Sequence, residues 1–487
     1  MGVVVDKFHR IDTALKLIKS KNTDLILFTL HSDPDKVFTG GTEGHVKQLR
    51  ALLLNANKAV LILAPTGNKN FVLRGSIGEK IFSEEFFHQD SLVNLISVLE
   101  LYVDNLHVHH TMEWSAVGLE ALSNSAIKIK IVTAHDFWFL CPSITLLTEY
   151  HPERFCEVER DLKKCNNCLA TKWKRPHETI QQYRSITLKF LEKFDRILVP
   201  SVSLLPYFKK AYGSDWDKLL PKVNILPHDL SYLEGIYQAN KVNIANTKNK
   251  FTFIGALDGR KGSNLLLAAI PELEKQGFKI EILGSIFPRY HPNLKNTQIK
   301  LYKSAQELSQ LLSDNGGPDF LGYISIWAET FSYTFFEGLL LCPTAIPIAG
   351  PYGNPAYVCH EKEIGVVMSA CTPTALIDAV YRAKTQRDGY QKKLENYVEG
   401  LRKEIHQRSY LADYLAVTHI AGHASKSIMP ISDDFLTQAS IQDELLQKHE
   451  ATLLNTLRWK IKKLRRIFER VRRVGWLTAF RHLRGLI

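Results

Sequence analysis

Two glutamates, Glu329 and Glu337, stand with seven residues between them in ISIWAETFSYTFFEGLL. The apolar pattern predicts Glu329 in a loop after a strand, and Glu337 roughly two turns inside the helix that follows. Carboxylates are acceptor-only groups and match hydroxyl donors, so such a pair can hold two parts of one long ligand, such as a sugar and a ribose diol. Phe331, Tyr333, Phe335 and Phe336 leave little polar surface between them, so charge at these positions calls for a reason.

Arg260 and Lys261 fall in FTFIGALDGRKGS, in a loop after a strand pattern and just before a helical one. Two cations there suit a diphosphate leaving group, because fixed positive charge stabilises the negative charge that grows as the bond breaks. A solvated basic turn has the same composition. His135 closes the strand pattern KIKIVTA, where an imidazole can donate into a cleft and change charge near neutrality. A hydrogen-bonded structural histidine is the other reading. Gly40 and Gly41 lie between LILFTL and HVKQLRALLLNA. Glycines there let backbone approach a ligand closely, and the following helix offers unpaired N–H groups to phosphate, although a plain tight turn fits too. Asp33-Pro34-Asp35 superficially has the look of metal-binding acids, but acids before a glycine turn are common in loops.

Cys141, Cys156, Cys165 and Cys168 fall within 28 residues. Disulfides are not expected in a reducing cytoplasm. Cys-x-x-Cys lets two thiolates reach one tetrahedral ion, and the other two would close a structural zinc site; four unconnected thiols are the alternative. Cys342, Cys359 and Cys371 show no grouping.

These residues need a scaffold that brings distant loops together. LILFTL (25–30), AVLILA (59–64) and KIKIVTA (128–134) read as buried strands, with NLHVH (105–109) and RILVP (196–200) as shorter ones. HVKQLRALLLNA (45–56) and SLVNLISVLELYV (91–103) carry helical spacing between them. The alternation implies parallel pairing with helices on both faces. It restarts with FTFIGAL (251–257), KIEILG (279–284), DFLGYIS (319–325) and TAIPIAG (344–350), with GSNLLLAAIPELEKQ (262–276) as a helix. The fold class is therefore α/β, with two doubly wound Rossmann-like domains at 1–228 and 229–408. The first carries a cysteine-bearing insertion at about 141–170, and the polar segment 234–250 reads as the linker. Residues 1–23 read as a helical extension through Ile11, Leu15 and Ile18.

With 487 residues the chain exceeds one ordinary core. No apolar run of about 18 residues is present, so no spanning helix is expected. The N-terminus lacks the order of a secretory signal, and Asp6 stands where a myristoylation motif needs Ser or Thr. A cytoplasmic location is expected. The net charge is +12, but residues 457–487 hold eleven Lys or Arg against one acid, Glu469. The basic character thus belongs to the tail, 430–487, and no nucleic-acid partner is expected for the protein. Leu457, Ile461, Leu464, Phe468 and Val471 line one helical face with cations around them. This pattern suits an anionic membrane surface, at about 1 kcal/mol per cation; a coiled-coil or nucleic-acid contact of the tail alone is the other reading.

Over most of residues 25–425 the chain resembles the retaining family-4 glycosyltransferases of the GT-B fold. The resemblance rests on GGTEGHVKQL, on HDFW with its cysteines, on the RKG turn and above all on ETFSYTFFE, which is similar to the family's E-x7-E signature. It implies two domains that close over a nucleotide-diphosphate sugar, with a final helix crossing back to the first domain; SYLADYLAVTHIAG, within 409–429, is the candidate. It places Gly40 and Gly41 near the donor diphosphate, His135 near the donor sugar, and Arg260 and Lys261 on the phosphates. It places Glu329 at the transferred sugar and Glu337 at the ribose. Transfer would retain anomeric configuration and need no cofactor for catalysis. The acceptor would attack the face the leaving group vacates, and the diphosphate oxygen would take the proton. A polysaccharide, glycolipid or similar glycan or lipid-linked acceptor at the cytoplasmic membrane face is expected.

Three positions depart from the family pattern. Ala256 follows Gly255 where many members carry Arg, Cys342-Pro343 interrupts the pattern after Glu337, and GPYGNP (350–355) matches a donor-contacting loop only loosely. Ala256 and Cys342 support a second reading, a catalytically silent transferase-like subunit that binds or localises a partner enzyme. A nicotinamide-dependent enzyme is disfavoured, since no Gly-x-Gly-x-x-Gly follows a strand.

Overall fold

The computed structural model describes residues 2–36, 40–78, 80–148, 154–239, 249–286, 297–314 and 316–419. The amphipathic basic segment 457–487 lies outside the described residues, as does the rest of the tail.

Eight strands form the first sheet: β1 (Leu25–Thr29), β2 (Ala59–Gly67), β3 (Asn70–Ile77), β4 (Lys80–His88), β5 (Asn105–Val108), β6 (Ile129–Thr133), β7 (Arg196–Val199) and β8 (Val223–Ile225). Their spatial order is β4-β3-β2-β1-β5-β6-β7-β8. Along β1 the side chains alternate between two cores. Leu25 and Leu27 join one with Leu61, Leu106 and Val108, while Ile26 and Phe28 join the other with Val60, Ile62 and Ile131. Burial on both faces is why this strand is a continuous apolar run. Pairing from β2 through β8 is parallel.

The edge corrects the expectation of purely parallel pairing. β3 and β4 are antiparallel additions to β2. Asn68 and Lys69, at φ 50° and 60°, make the two-residue turn between β2 and β3, the conformation that matches the twist of paired strands.

The second sheet holds β9 (Lys250–Ile254), β10 (Lys279–Leu283), β11 (Gln298–Lys300), β12 (Phe320–Tyr323), β13 (Ile346–Ala349) and β14 (Val366–Val367). Its order is β11-β10-β9-β12-β13-β14, and its pairings are parallel. β8, β11 and β14 are too short to display a period in sequence. Each sheet reverses its winding at its first strand, β1 lying between β2 and β5, and β9 between β10 and β12. Such a switch point opens a crevice beyond the carboxyl ends of the strands, so the loops after β1, β5, β9 and β12 are the natural ligand-facing ones.

The start of the expected polar linker is helical instead. Residues Ser231–Leu233 form a turn and Glu234–Ala239 a short helix, held by buried Leu233 and Tyr237. The helix expected over 91–103 is shorter, Leu92–Leu99. The N-terminal helix Gly2–Ser20 buries Ile11, Leu15 and Ile18 on the first domain. After the long helix Arg387–Gln407, the helix Tyr410–His419 returns to that domain. Tyr410 and Tyr414 pack in the core of Ile26, Phe28, Val46 and Ile62, and the Tyr414 hydroxyl lies 3.1 Å from His107 Nδ1. Among the described residues, no helix is long and apolar enough to cross a membrane.

Candidate active site

The loop after β9 is shaped by Asp258 and Gly262. Asp258 Oδ1 accepts the Lys261 N–H at 2.9 Å, and Oδ2 accepts Nε and Nη2 of Arg260 at 3.0 and 2.7 Å. Gly262 has φ +83°, and a Cβ there would meet the Ile324 carbonyl oxygen at 2.3 Å. The turn therefore lies directly on the segment that leaves β12. This contact separates the two cations. Arg260 stays clamped on Asp258 with its side chain 54% exposed, while Lys261 Nζ reaches Glu329 Oε2 at 2.7 Å.

Glu329 is buried and held on all sides. Its carboxylate also accepts from Ser325 Oγ, and its carbonyl accepts the Asn354 N–H at 2.7 Å. A Cβ on Gly353, which has φ +77°, would sit 2.4 Å from the Glu329 nitrogen. The GPYGNP loop is thus packed against Glu329. Burial pushes this carboxyl up, but the Lys261 ammonium and the hydrogen bonds from Lys261, Ser325 and Ser332 outweigh it and hold it below its ordinary value. It is a fixed carboxylate.

Glu337 stands one turn into its helix rather than two, because the helix Tyr333–Leu341 starts only after the Ser332 left-handed cap. Glu337 accepts the Tyr232 hydroxyl at 2.7 Å. Here burial prevails and raises the carboxyl, with Tyr232 offsetting only part.

From the first domain, His135 follows β6 and is buried. Its carbonyl accepts the hydroxyl of Thr330, the residue beside Glu329. The bond ties the two domains at the point where both candidate side chains emerge. His135 Nε2 lies 3.1 Å from His109 Nδ1. His45, on the second turn of the helix Gly41–Asn55, has its ring 5.1 Å from that of His135 and 4.1 Å from that of His228. Burial pushes His45 down to about 3 and holds His109, His135 and His228 well below the usual histidine range. All four are neutral imidazoles at physiological pH. Sequence reasoning singled out His135 alone. The available signal was His107 and His109, two apart in HVHH and so on one face of an extended segment, with a further histidine soon after the Gly-Gly pair.

Gly40 caps that helix and Gly41 begins it. The Gly40 N–H donates to Glu43 Oε2 at 3.1 Å. Burial would raise Glu43, but His31 at 3.1 Å, its own backbone and Ser32 at 2.9 Å outweigh this and bring it to about 2. The helix terminus expected to face phosphate therefore already carries an anion of the protein's own. Among the described residues, a Cβ on Gly41 would meet nothing within 4 Å. Asp33 and Asp35 clasp Arg74 at 2.9 and 2.7 Å, which accounts for that acidic triplet as an ion-pair network.

Cys165 and Cys168 share one face of the helix Leu162–Thr171, with Cys141 and Cys156 nearby under the first-domain core. Burial pushes Cys141 up to about 12 and Cys165 up to about 11. A four-thiolate zinc site holds its sulfurs about 3.8 Å apart. No three of these sulfurs lie within 4.8 Å of one another; among the described residues, that spacing is met by His45, His109 and His135.

No protein-family model matches the chain, and no curated protein matches it. Solved structures do. Sucrose-phosphate synthase from Thermosynechococcus elongatus aligns at 14% identity over 88% of this chain and 100% of its own, with a TM-score of 0.51. A glycosyltransferase from Rickettsia africae ESF-5 aligns at 14% identity over 82% of this chain and 98% of its own, also at 0.51. HepE from Anabaena, in complex with UDP, aligns at 11% identity over 81% of this chain and 100% of its own, at 0.50. The architecture is the GT-B fold of glycosyltransferases.

Proposed function

We propose that the chain is a retaining glycosyltransferase that moves a sugar from a nucleotide-diphosphate sugar to a polysaccharide, glycolipid or similar acceptor. The observation that carries this reading is the Lys261–Glu329 pair at the switch point of the second sheet, tied through Thr330 to His135 on the first domain. An ammonium has three donors, so Lys261 can keep Glu329 and still donate to a phosphate oxygen. Placed there, it stabilises the diphosphate as it leaves. Glu329, a carboxylate, accepts from hydroxyls of the transferred sugar. Glu337, a raised carboxyl beside Tyr232, takes the ribose diol, and His135 stands at the donor sugar. The acceptor attacks the face that the diphosphate vacates, and a diphosphate oxygen takes its proton. No catalytic metal is invoked. UDP in the HepE structure is in keeping with a nucleoside diphosphate as leaving group. Residues 457–487 would hold the protein on the cytoplasmic face of a membrane, beside a lipid-linked acceptor.

The test is a screen of nucleotide sugars for thermal stabilisation, since a ligand that binds only the folded state raises the melting point, followed by transfer from the labelled donor. Loss of transfer in folded Glu329→Ala and Lys261→Ala proteins is the expected result; wild-type rates in both would remove this site from the reaction. The capture of Arg260 by Asp258 and of the Gly40 N–H by Glu43 favours a second reading, the silent transferase-like subunit. Calorimetry separates the two, because the silent subunit binds no nucleoside diphosphate.

A further inference from the structure

His107 shows how this fold treats a structural histidine. Its Nε2 meets Thr133 Oγ1 at 2.7 Å and its Nδ1 meets the Tyr414 hydroxyl at 3.1 Å, so both nitrogens are used. The neighbouring rings are treated differently. His45 Nδ1, His109 Nε2 and His228 Nδ1 are buried and have no hydrogen-bond partner among the described residues, a costly state for a polar atom. The three come from separate segments, after β1, β5 and β8, that converge with His135 at the cleft end of the first sheet.

The spacing of these rings fits one shared ion. His45, His109 and His135 each present a ligand atom, all within 4.8 Å of one another. Two nitrogens bound to one tetrahedral zinc at 2.0–2.1 Å stand about 3.3 Å apart. The 3.1 Å between His109 Nδ1 and His135 Nε2 is close to that separation. A hydrogen bond between two neutral rings accounts for this one contact but leaves His45 Nδ1 as it is.

We propose that His45, His109 and His135 bind a divalent transition-metal ion of the zinc class, with His228 beside them as the nearest further ligand. Imidazole sets of this kind suit zinc rather than magnesium or calcium, which prefer oxygen. Such an ion engages the ring of His135, so its occupancy sets whether that imidazole is free to face the cleft. The site shares His135 with the glycosyl-transfer reading but does not rest on it.

The experiment uses the full chain, stripped with a chelator, then titrated with cobalt(II) as a spectroscopic probe and with zinc in competition. One ion per chain is expected, with the visible bands of a four-coordinate nitrogen site and without the near-ultraviolet thiolate-to-cobalt band. His45→Gln and His109→Gln each weaken zinc binding about tenfold or more, while the Cys165→Ser/Cys168→Ser protein binds as the wild type does. Circular dichroism identifies which histidine variants are folded, and either one suffices. Three results overturn the proposal: no saturable binding to the wild type, unchanged affinity in the folded histidine variants, or a thiolate band that disappears with the cysteines. No sugar donor enters this assay, so its failure leaves the transfer reading standing, and a failure to transfer sugar leaves the metal site standing.

Discussion

Lys261 Nζ lies 2.7 Å from Glu329 Oε2, joining the loop after β9 to the loop after β12. The carboxylate is 9% exposed and the ammonium 29%. A pair this sheltered is sensitive to the loss of one member, because the other is left as an unpaired buried charge. Lys261→Ala is expected to cost about 3 kcal/mol of stability. Lys261→Ala/Glu329→Gln together should cost less than the two singles added. Urea denaturation of the four proteins measures the coupling, and strict additivity would show that the pair contributes nothing of its own.

The same carboxylate sets a pH dependence. Glu329 titrates below its ordinary 4.5 in the folded protein. As pH falls through that value, the unfolded chain takes up the proton first. The contribution of Glu329 is therefore complete above about pH 4.5 and is lost as pH drops toward the folded value. Thermal melts from about pH 6 to pH 3 should fall more steeply for the wild type than for Glu329→Gln. Parallel curves would contradict the assigned direction.

Gly262→Ala tests the turn that aims Lys261. A left-handed backbone costs alanine about 1–2 kcal/mol, and the added methyl would overlap the Ile324 oxygen at 2.3 Å. A lower melting temperature together with weakened nucleotide binding is expected. Gly41→Ala makes the contrast, since its methyl meets nothing within 4 Å. It should hold stability within about 0.5 kcal/mol and weaken only ligand binding, if the backbone there approaches the donor.

Tyr414→Phe removes a hydroxyl from the returning helix and leaves His107 Nδ1 buried without its partner. A loss of about 1–3 kcal/mol is expected. Hydrogen exchange should rise in Tyr410–His419 ahead of β12 and β13; uniform change across the chain would mean that the helix is not held locally.

The legible parts of the sequence were those written in one stretch. β1 and β9 are buried on both faces and stand out as apolar runs, and Glu329 stands out because a charge among aromatic residues is unusual. The edge hairpin β3–β4 breaks the alternation of strand and helix, and only Gly78 and the Asn68-Lys69 turn mark it in the sequence. The histidine cluster is assembled from positions 45, 109, 135 and 228, and no local pattern links them. The two cations of the RKG turn read as equals, yet Asp258, only two residues before Arg260, captures one and leaves the other. Glu43 was likewise a nearby competitor for a backbone donor that had been reserved for phosphate.

The returning helix also bears on how the chain is made. Tyr410 and Tyr414 cover a face of the first sheet, but they leave the ribosome only after the whole second domain has been synthesised. Until then Ile26, Phe28 and Ile62 have part of their cover, Val46, Leu49 and Leu53 of the helix Gly41–Asn55, but not the two tyrosines. A nascent chain halted between the domains would present an oily surface to chaperones, and a fragment cut there would keep that surface for good.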